Sequence, residues 1–312
     1  MADLTVSLGR LKLKNPITVA SGTFGFGREY ASYYSLSELG AVITSAVTLE
    51  KRVGNKPPRL AETPSGILNS IGLENPGVEH FLQEDLPYLQ RSGATVIVNI
   101  AGRTVEEYRA VAERLSQAEG IAALEVNISC PNVKEGGITF GTEPQMAQRV
   151  TASVREVWPG PLIVKLSPNV TDIALLARAV VEAGAEILSL INTITGMAID
   201  PETWQPKLGN IVGGLSGPAI KPVAVRMVWQ VAQAVDVPII GMGGIVAVED
   251  VVEFLLAGAT AVSVGTGNFR QPTLARDLVG ELDEYLTTHQ LTTVQQLIGQ
   301  VGKGGDRWRT CV

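Results

Sequence analysis

The sequence predicts an α/β chain closed into a (β/α)8 TIM barrel. Three observations carry the prediction. From residue 17 onward, eight short apolar segments alternate with segments of helical periodicity. Those apolar segments run nearly unbroken, as parallel strands covered on both faces do. No composition shift interrupts the 312 residues, a length that one barrel with insertions fills. One domain over 1–312 is therefore expected, with an N-terminal β-hairpin and inserted active-site loops. A doubly wound open sheet is the competing architecture, but no Gly-x-Gly-x-x-Gly follows the first strand.

Residues 4–8 and 11–13 alternate apolar and polar positions around Gly9-Arg10, which reads as a hairpin. Residues 17–20 form the first barrel strand and run into Ser21-Gly22-Thr23. Residues 36–40 end a helix, and 41–45 form the second strand. The excursion 47–80 holds Pro57, Pro58, Pro64 and Pro76 and shows no clear secondary structure. A loop of that length is usually functional or disordered. Its apolar residues, among them Leu60, Ile67 and Ile71, argue for order. Helices at 81–92, 105–118, 144–157 and 172–183 then alternate with strands at 95–100, 123–127, 162–166 and 187–191. Residues 192–214 read as irregular. A helix at 218–235, a strand at 238–241, a helix at 248–257, a strand at 261–264 and a helix at 274–288 complete the alternation. A short helix at 293–300 follows.

Composition narrows the function. The net charge of −6 offers no basic face for nucleic acid. Cys130 and Cys311 are the only cysteines, so no disulfide framework is written here. His80 and His289 are the only histidines, which leaves little for a histidine metal site or a Ser-His-Asp triad. No metal is expected. The N-terminus lacks a basic start followed by a long apolar run, and no window gives the roughly 18 apolar residues a spanning helix needs. A cytoplasmic chain without membrane contact is expected.

In a barrel the C-terminal ends of the strands form the active-site face. Those ends carry Ser21, Ser45, Asn99, Asn127, Lys165, Asn192 and Thr193. The last two strands end instead in Gly243-Gly244 and Gly265-Thr266, where barrels often bind phosphate through backbone N–H groups. Gly217, before another helix, could add a contact. Asn69, Asn99, Asn127, Asn132 and Asn192 would converge on one pocket. Carboxamides donate and accept without charge, which suits a cyclic diamide or an isoalloxazine edge. Lys165 would supply one positive charge. Cys130 closes the strand segment 124–130 just before Pro131, and glycines follow at 136, 137 and 141. A free cysteine is most often a small buried hydrophobe. Here the flanking Asn127 and Asn132 favour a proton-transfer group on a loop.

These residues carry a resemblance. Asn69-Ser70-Ile71-Gly72-Leu73-Glu74-Asn75-Pro76-Gly77, Asn127-Ile128-Ser129-Cys130-Pro131-Asn132, Val164-Lys165-Leu166, Ile191-Asn192-Thr193, Gly241-Met242-Gly243-Gly244 and Gly265-Thr266-Gly267 occur in order over nearly the whole chain. Together they resemble a class 1 dihydroorotate dehydrogenase, with wording closest to the catalytic subunit of subclass 1B. The resemblance implies oxidation of dihydroorotate to orotate in pyrimidine biosynthesis. Cys130 would take a proton from C5, and a hydride would pass from C6 to N5 of FMN. Ser21, Ser45, Ala46, Asn99, Asn127, Lys165, Ile191, Gly217, Gly243, Gly244, Gly265 and Thr266 would hold FMN. Ser45, Asn69, Ser70, Ile71, Gly72, Leu73, Asn127, Asn192 and Thr193 would hold the substrate. An iron–sulfur flavoprotein subunit with FAD and a [2Fe-2S] cluster would pass electrons to NAD+, in a heterotetramer of two catalytic and two electron-transfer chains. A thiol base is chemically reasonable, since a free cysteine has a pKa of about 8.5.

The family usually carries a lysine where Ser45 stands. A hydroxyl cannot neutralise an anionic flavin, so slower reduction or weaker orotate binding is expected. A fumarate-linked subclass 1A enzyme, or a related FMN pyrimidine oxidoreductase, remains an alternative. A flavin-free, phosphate-binding barrel lyase or isomerase is an alternative of another class.

Overall fold

The computed structural model describes residues 2–128 and 141–301. β1 (Val6–Leu8) and β2 (Leu11–Leu13) pair antiparallel. Val6, Leu8, Leu11 and Leu13 are buried while Ser7 and Lys12 are exposed, so the alternation in the sequence is the face pattern of the hairpin.

β3 (Ile17–Val19) and β4 (Ala41–Ile43) begin the barrel. The first excursion follows, with β5 (Leu60–Thr63) and β6 (Gly66–Asn69). β7 (Val96–Ile100), β8 (Ala123–Asn127), β9 (Leu162–Lys165) and β10 (Ile187–Leu190) continue the barrel. The second excursion holds β11 (Ile194–Met197), β12 (Ile199–Asp200), β13 (Gln205–Pro206) and β14 (Val212–Ser216). β15 (Ile239–Met242) and β16 (Ala261–Val264) complete the cylinder, because β16 pairs with β3. All eight barrel pairings are parallel. The expected closed barrel is the observed one.

Helices cover the outside. Val105–Ser116 is capped by Thr104, whose side chain accepts from Glu107 N at 3.2 Å. Asp172 accepts from Ala174 N at 2.8 Å and starts Ile173–Glu182. In Pro144–Val157, Ala147, Val150, Thr151 and Val154 fall at helical spacing and are buried.

Several expected elements differ. The helix expected to end at 36–40 is a single 3-10 turn, Leu36–Glu38. The helix expected at 81–92 starts at Val78 and passes through a π-helical segment, Phe81–Asp85, before Leu86–Arg91. The helix at 293–300 shrinks to the turn Val294–Gln296. The two excursions are not irregular. β5, β6, β14 and β11 form one antiparallel sheet, with Asn69 opposite Gly214. Its strands come from segments far apart in the chain, so no local pattern announces the pairing.

The inside of the barrel has two layers. Side chains two residues apart on a strand share a face. Toward the strand N-termini the inward positions are Ile43, Ile97, Ala123, Ile163, Ile187, Ile240 and Ala261 on seven strands and Thr18 on β3, all buried. Two residues further along stand Ser45, Asn99, Glu125, Lys165, Ser189, Met242 and Ser263. On β8 Asn127 follows Glu125 by another two.

Candidate active site

A cavity of about 260 Å³ opens at the polar end of the barrel. Its floor is the upper inward layer, with Ser45, Asn127, Lys165, Met242 and Ser263. Its roof is the excursion sheet and the loop behind it, with Leu60, Ile67, Asn69, Ile71, Gly72 and Leu73.

Lys165 is almost fully buried, at 4% exposure. Its Nζ donates to Ser21 Oγ at 3.1 Å, and it has no carboxylate partner among the described residues. A buried ammonium without an ion pair is unfavourable unless a ligand meets it. The carboxamides are held in place. Asn192 Nδ2 donates to Asn127 Oδ1 at 3.4 Å, and Asn192 Oδ1 accepts from Thr193 N at 2.8 Å. Asn69 Nδ2 donates to Gly214 O at 3.2 Å, which ties it to the roof sheet. Tyr108 donates to Asn127 O at 2.7 Å from behind.

The roof loop turns sharply. Gly72 and Leu73 both have left-handed backbones, with φ of 80° and 58°. Leucine rarely takes that conformation, so the surroundings must impose it. Arg59 does part of this. It ion-pairs with Glu74 and donates to the carbonyls of Asn55 and Val53.

At the opposite wall stand Gly217, Gly243, Gly244, Gly265 and Thr266. Gly244 has φ of 78°, and a Cβ there would lie 2.8 Å from Gly217 O. Its glycine is required by the turn itself. Gly265 is different, since a Cβ there would meet no atom nearer than 3.6 Å. No packing contact explains that glycine, and its missing side chain widens the cavity. Asp250 fixes the turn by accepting from Val246 N and Ala247 N at 2.8 and 3.0 Å. Lys221 Nζ holds the same carboxylate at 2.6 Å. Burial pulls the Lys221 ammonium down, but hydrogen bonds to Asp250 and Glu253 outweigh it and leave its pKa above the ordinary value.

Of the sequence-predicted residues, Ser21, Ser45, Ala46, Asn69, Ile71, Gly72, Leu73, Asn127, Lys165, Ile191, Asn192, Thr193, Gly217, Gly243, Gly244, Gly265 and Thr266 line this one cavity. Two do not. Asn99 lies behind the floor, bonded to Glu125. Ser70 is buried behind the roof, where its N–H donates to Arg59 O. Strand order gave their position along the chain but not their depth. Cys130 and Asn132 lie outside the described residues, as does Cys311. Ser263 was missed. It is fully buried on the cavity wall, and its Oγ has no partner among the described residues. A serine inside Ala-Val-Ser-Val gives no signal beyond strand alternation.

A sequence-family profile described as dihydroorotate dehydrogenase matches residues 3–286. The chain belongs to the dihydroorotate dehydrogenase family. Among its relatives, a protein of Geotalea uraniireducens (strain Rf4) is 55% identical over 297 residues, which is 95% of this chain and 97% of the relative. One of Desulforamulus reducens (strain ATCC BAA-1160 / DSM 100696 / MI-1) is also 55% identical, covering 95% and 98%. One of Anoxybacillus flavithermus (strain DSM 21510 / WK1) is 54% identical over 305 residues and 98% of both chains. Each of the three is named dihydroorotate dehydrogenase B (NAD(+)), catalytic subunit. Among the described residues of this family member, no group of His, Cys, Asp and Glu is arranged to hold a metal ion. Among the described residues no helix is long and apolar enough to cross a membrane.

Proposed function

We propose that this chain oxidises dihydroorotate to orotate for pyrimidine biosynthesis, as the catalytic subunit of an NAD+-linked dihydroorotate dehydrogenase. The observation that carries the reading is the cavity itself. It joins a buried, unpaired Lys165, converging carboxamides and a glycine-lined wall, in a chain 55% identical to catalytic subunits of that name.

The residues present fit FMN. Gly217, Gly243, Gly244, Gly265 and Thr266 would take the phosphate end through backbone N–H groups. Ser21, Ser45, Ala46, Asn127, Lys165 and Ile191 would border the ring system, with Asn99 behind them. The fit rests on features the chain's own packing leaves unexplained: the room at Gly265, and the unpaired buried oxygens of Ser263 and Asn99. When bound, FMN supplies a two-electron acceptor.

The protein's part is to bind, orient and move a proton. Asn69, Asn127, Asn192 and Thr193 would hold the pyrimidine amides, and backbone donors from Ile71 to Leu73 would meet the carboxylate, with Ser70 supporting them. Lys165 stabilises negative charge developing in the cavity. Cys130 is the proposed base for the C5 proton; oxidation removes that proton and a hydride from C6. A separate iron–sulfur flavoprotein subunit with FAD and [2Fe-2S] would carry the electrons on to NAD+. Two catalytic and two electron-transfer chains would form the working complex, in the cytoplasm.

Two measurements test the reading. NAD+ reduction driven by dihydroorotate is expected only when the electron-transfer subunit is present. Cys130→Ala is expected to keep FMN bound and to stop orotate formation. A flavin-free purified protein, or wild-type turnover by Cys130→Ala, contradicts it.

A further inference from the structure

Glu125 is a carboxylate in the middle of the barrel with no exposed surface. It sits on β8 two residues before Asn127, so it shares that residue's inward face one pleat deeper. Its Oε2 accepts from Asn99 Nδ2 at 2.5 Å, and its Oε1 accepts from Ser189 Oγ at 2.6 Å. No cation bonds to it among the described residues. A buried carboxylate held only by two neutral donors is poor material for stability, because desolvation outweighs what such bonds return. The fold gains little from Glu125.

The bond to Asn99 has a chemical consequence. A carboxamide can be turned so that either its N or its O faces a neighbour. A carboxylate accepts only, so it binds the NH2 edge of Asn99 and repels the carbonyl edge. The Asn99 amide is therefore locked in one orientation. Its Oδ1 is then the free edge, and that atom is buried with no partner among the described residues. An orphaned buried acceptor is unfavourable until a donor reaches it.

We propose that Glu125 is a positioning residue for the bound cofactor, acting through Asn99. It fixes Asn99 as a pure acceptor packed directly behind the cavity floor, so that a cofactor seated on that floor is backed by an acceptor and not by a donor. This rests on the FMN reading above. Ser189 holds the far oxygen of Glu125 and keeps the carboxylate from rotating.

The test is a double-mutant cycle on FMN affinity, read by flavin fluorescence on apo-protein, with thermal unfolding measured alongside. Glu125→Leu is expected to weaken FMN binding about tenfold in the wild-type background, the scale of one lost hydrogen bond to a charged group. In the Asn99→Ala background the same change is expected to have no further effect. Where Glu125→Leu fails to fold, Glu125→Gln serves. Glutamine keeps the shape but can pair with either edge of Asn99, so a loss of about threefold is expected, again absent with Asn99→Ala. Equal losses in both backgrounds, or no loss in either, overturn the proposal. Failure of the wild-type chain to bind FMN would instead overturn the FMN reading.

Discussion

The lower and upper inward layers of the barrel lie on the same strands, yet they are built from different chemistry. The lower layer is Ile43, Ile97, Ala123, Ile163, Ile187, Ile240 and Ala261, with Thr18 of β3 as its one polar member, satisfied by donating to Val262 O. The upper layer is mostly polar, with Asn99, Glu125, Lys165, Ser189 and Ser263 each at 4% exposure or less. Apolar groups gain by being buried, and these polar groups do not. The lower layer therefore holds the cylinder together, and on the proposed function the upper layer is tolerated because of what it would bind. Substitutions in the two layers should separate stability from function.

The largest effect is expected below. Ile97→Ala leaves a hole between Ile43 and Ala123, and should destabilise the fold by about 3 kcal/mol in denaturant titrations. The flavin affinity of the folded fraction should hardly change. Next comes Lys165→Ala, expected to slow flavin reduction by dihydroorotate about 100-fold in stopped-flow traces. Its apo-protein should melt at or slightly above the wild-type temperature, because an unpaired buried charge is gone. A large drop in melting temperature would make Lys165 part of the scaffold and erase the contrast between layers.

The glycine wall divides in the same way. Gly265→Ala should weaken FMN binding about tenfold with unchanged stability, since the new Cβ meets Ala20 and Thr23 only at ordinary contact distance and takes up room at the cavity wall. Gly244→Ala should lose stability even without cofactor, because it meets both a left-handed backbone and Gly217 O. The smallest effect is expected at Ser45, whose N–H donates to Gly25 O at 2.9 Å while the residue lines the cavity. Lys165 is the only cationic residue lining the cavity among the described residues. Ser45→Lys would add a second charge and should speed flavin reduction or tighten orotate binding severalfold. No gain would show that Lys165 alone suffices.

This division also explains what the sequence reveals. The lower layer is legible because continuous apolar strands have few other uses, and all eight barrel strands fall within a residue or two of their expected places. The strand ends are legible too, since polar residues and glycines there stand out against Val-Ile-Leu runs. Depth is not legible. Asn99 and Ser70 carry the same chemistry as Asn127 and Asn69, yet they stand behind the cavity wall. The excursion sheet is hidden because Asn69 finds Gly214 across 145 residues. Glu125 is hidden for another reason. One acidic residue inside Ala-Leu-Glu-Val-Asn looks like an ordinary strand position until its two partners are seen.

The central claim is that the polar layer exists to hold a flavin against a dihydropyrimidine. The most direct test is the absorbance spectrum of the purified chain, taken without oxygen before and after dihydroorotate is added. The account predicts an oxidised flavin spectrum that bleaches after dihydroorotate is added, with one orotate formed per flavin. A spectrum without flavin, or a flavin that stays oxidised under excess dihydroorotate, would contradict it.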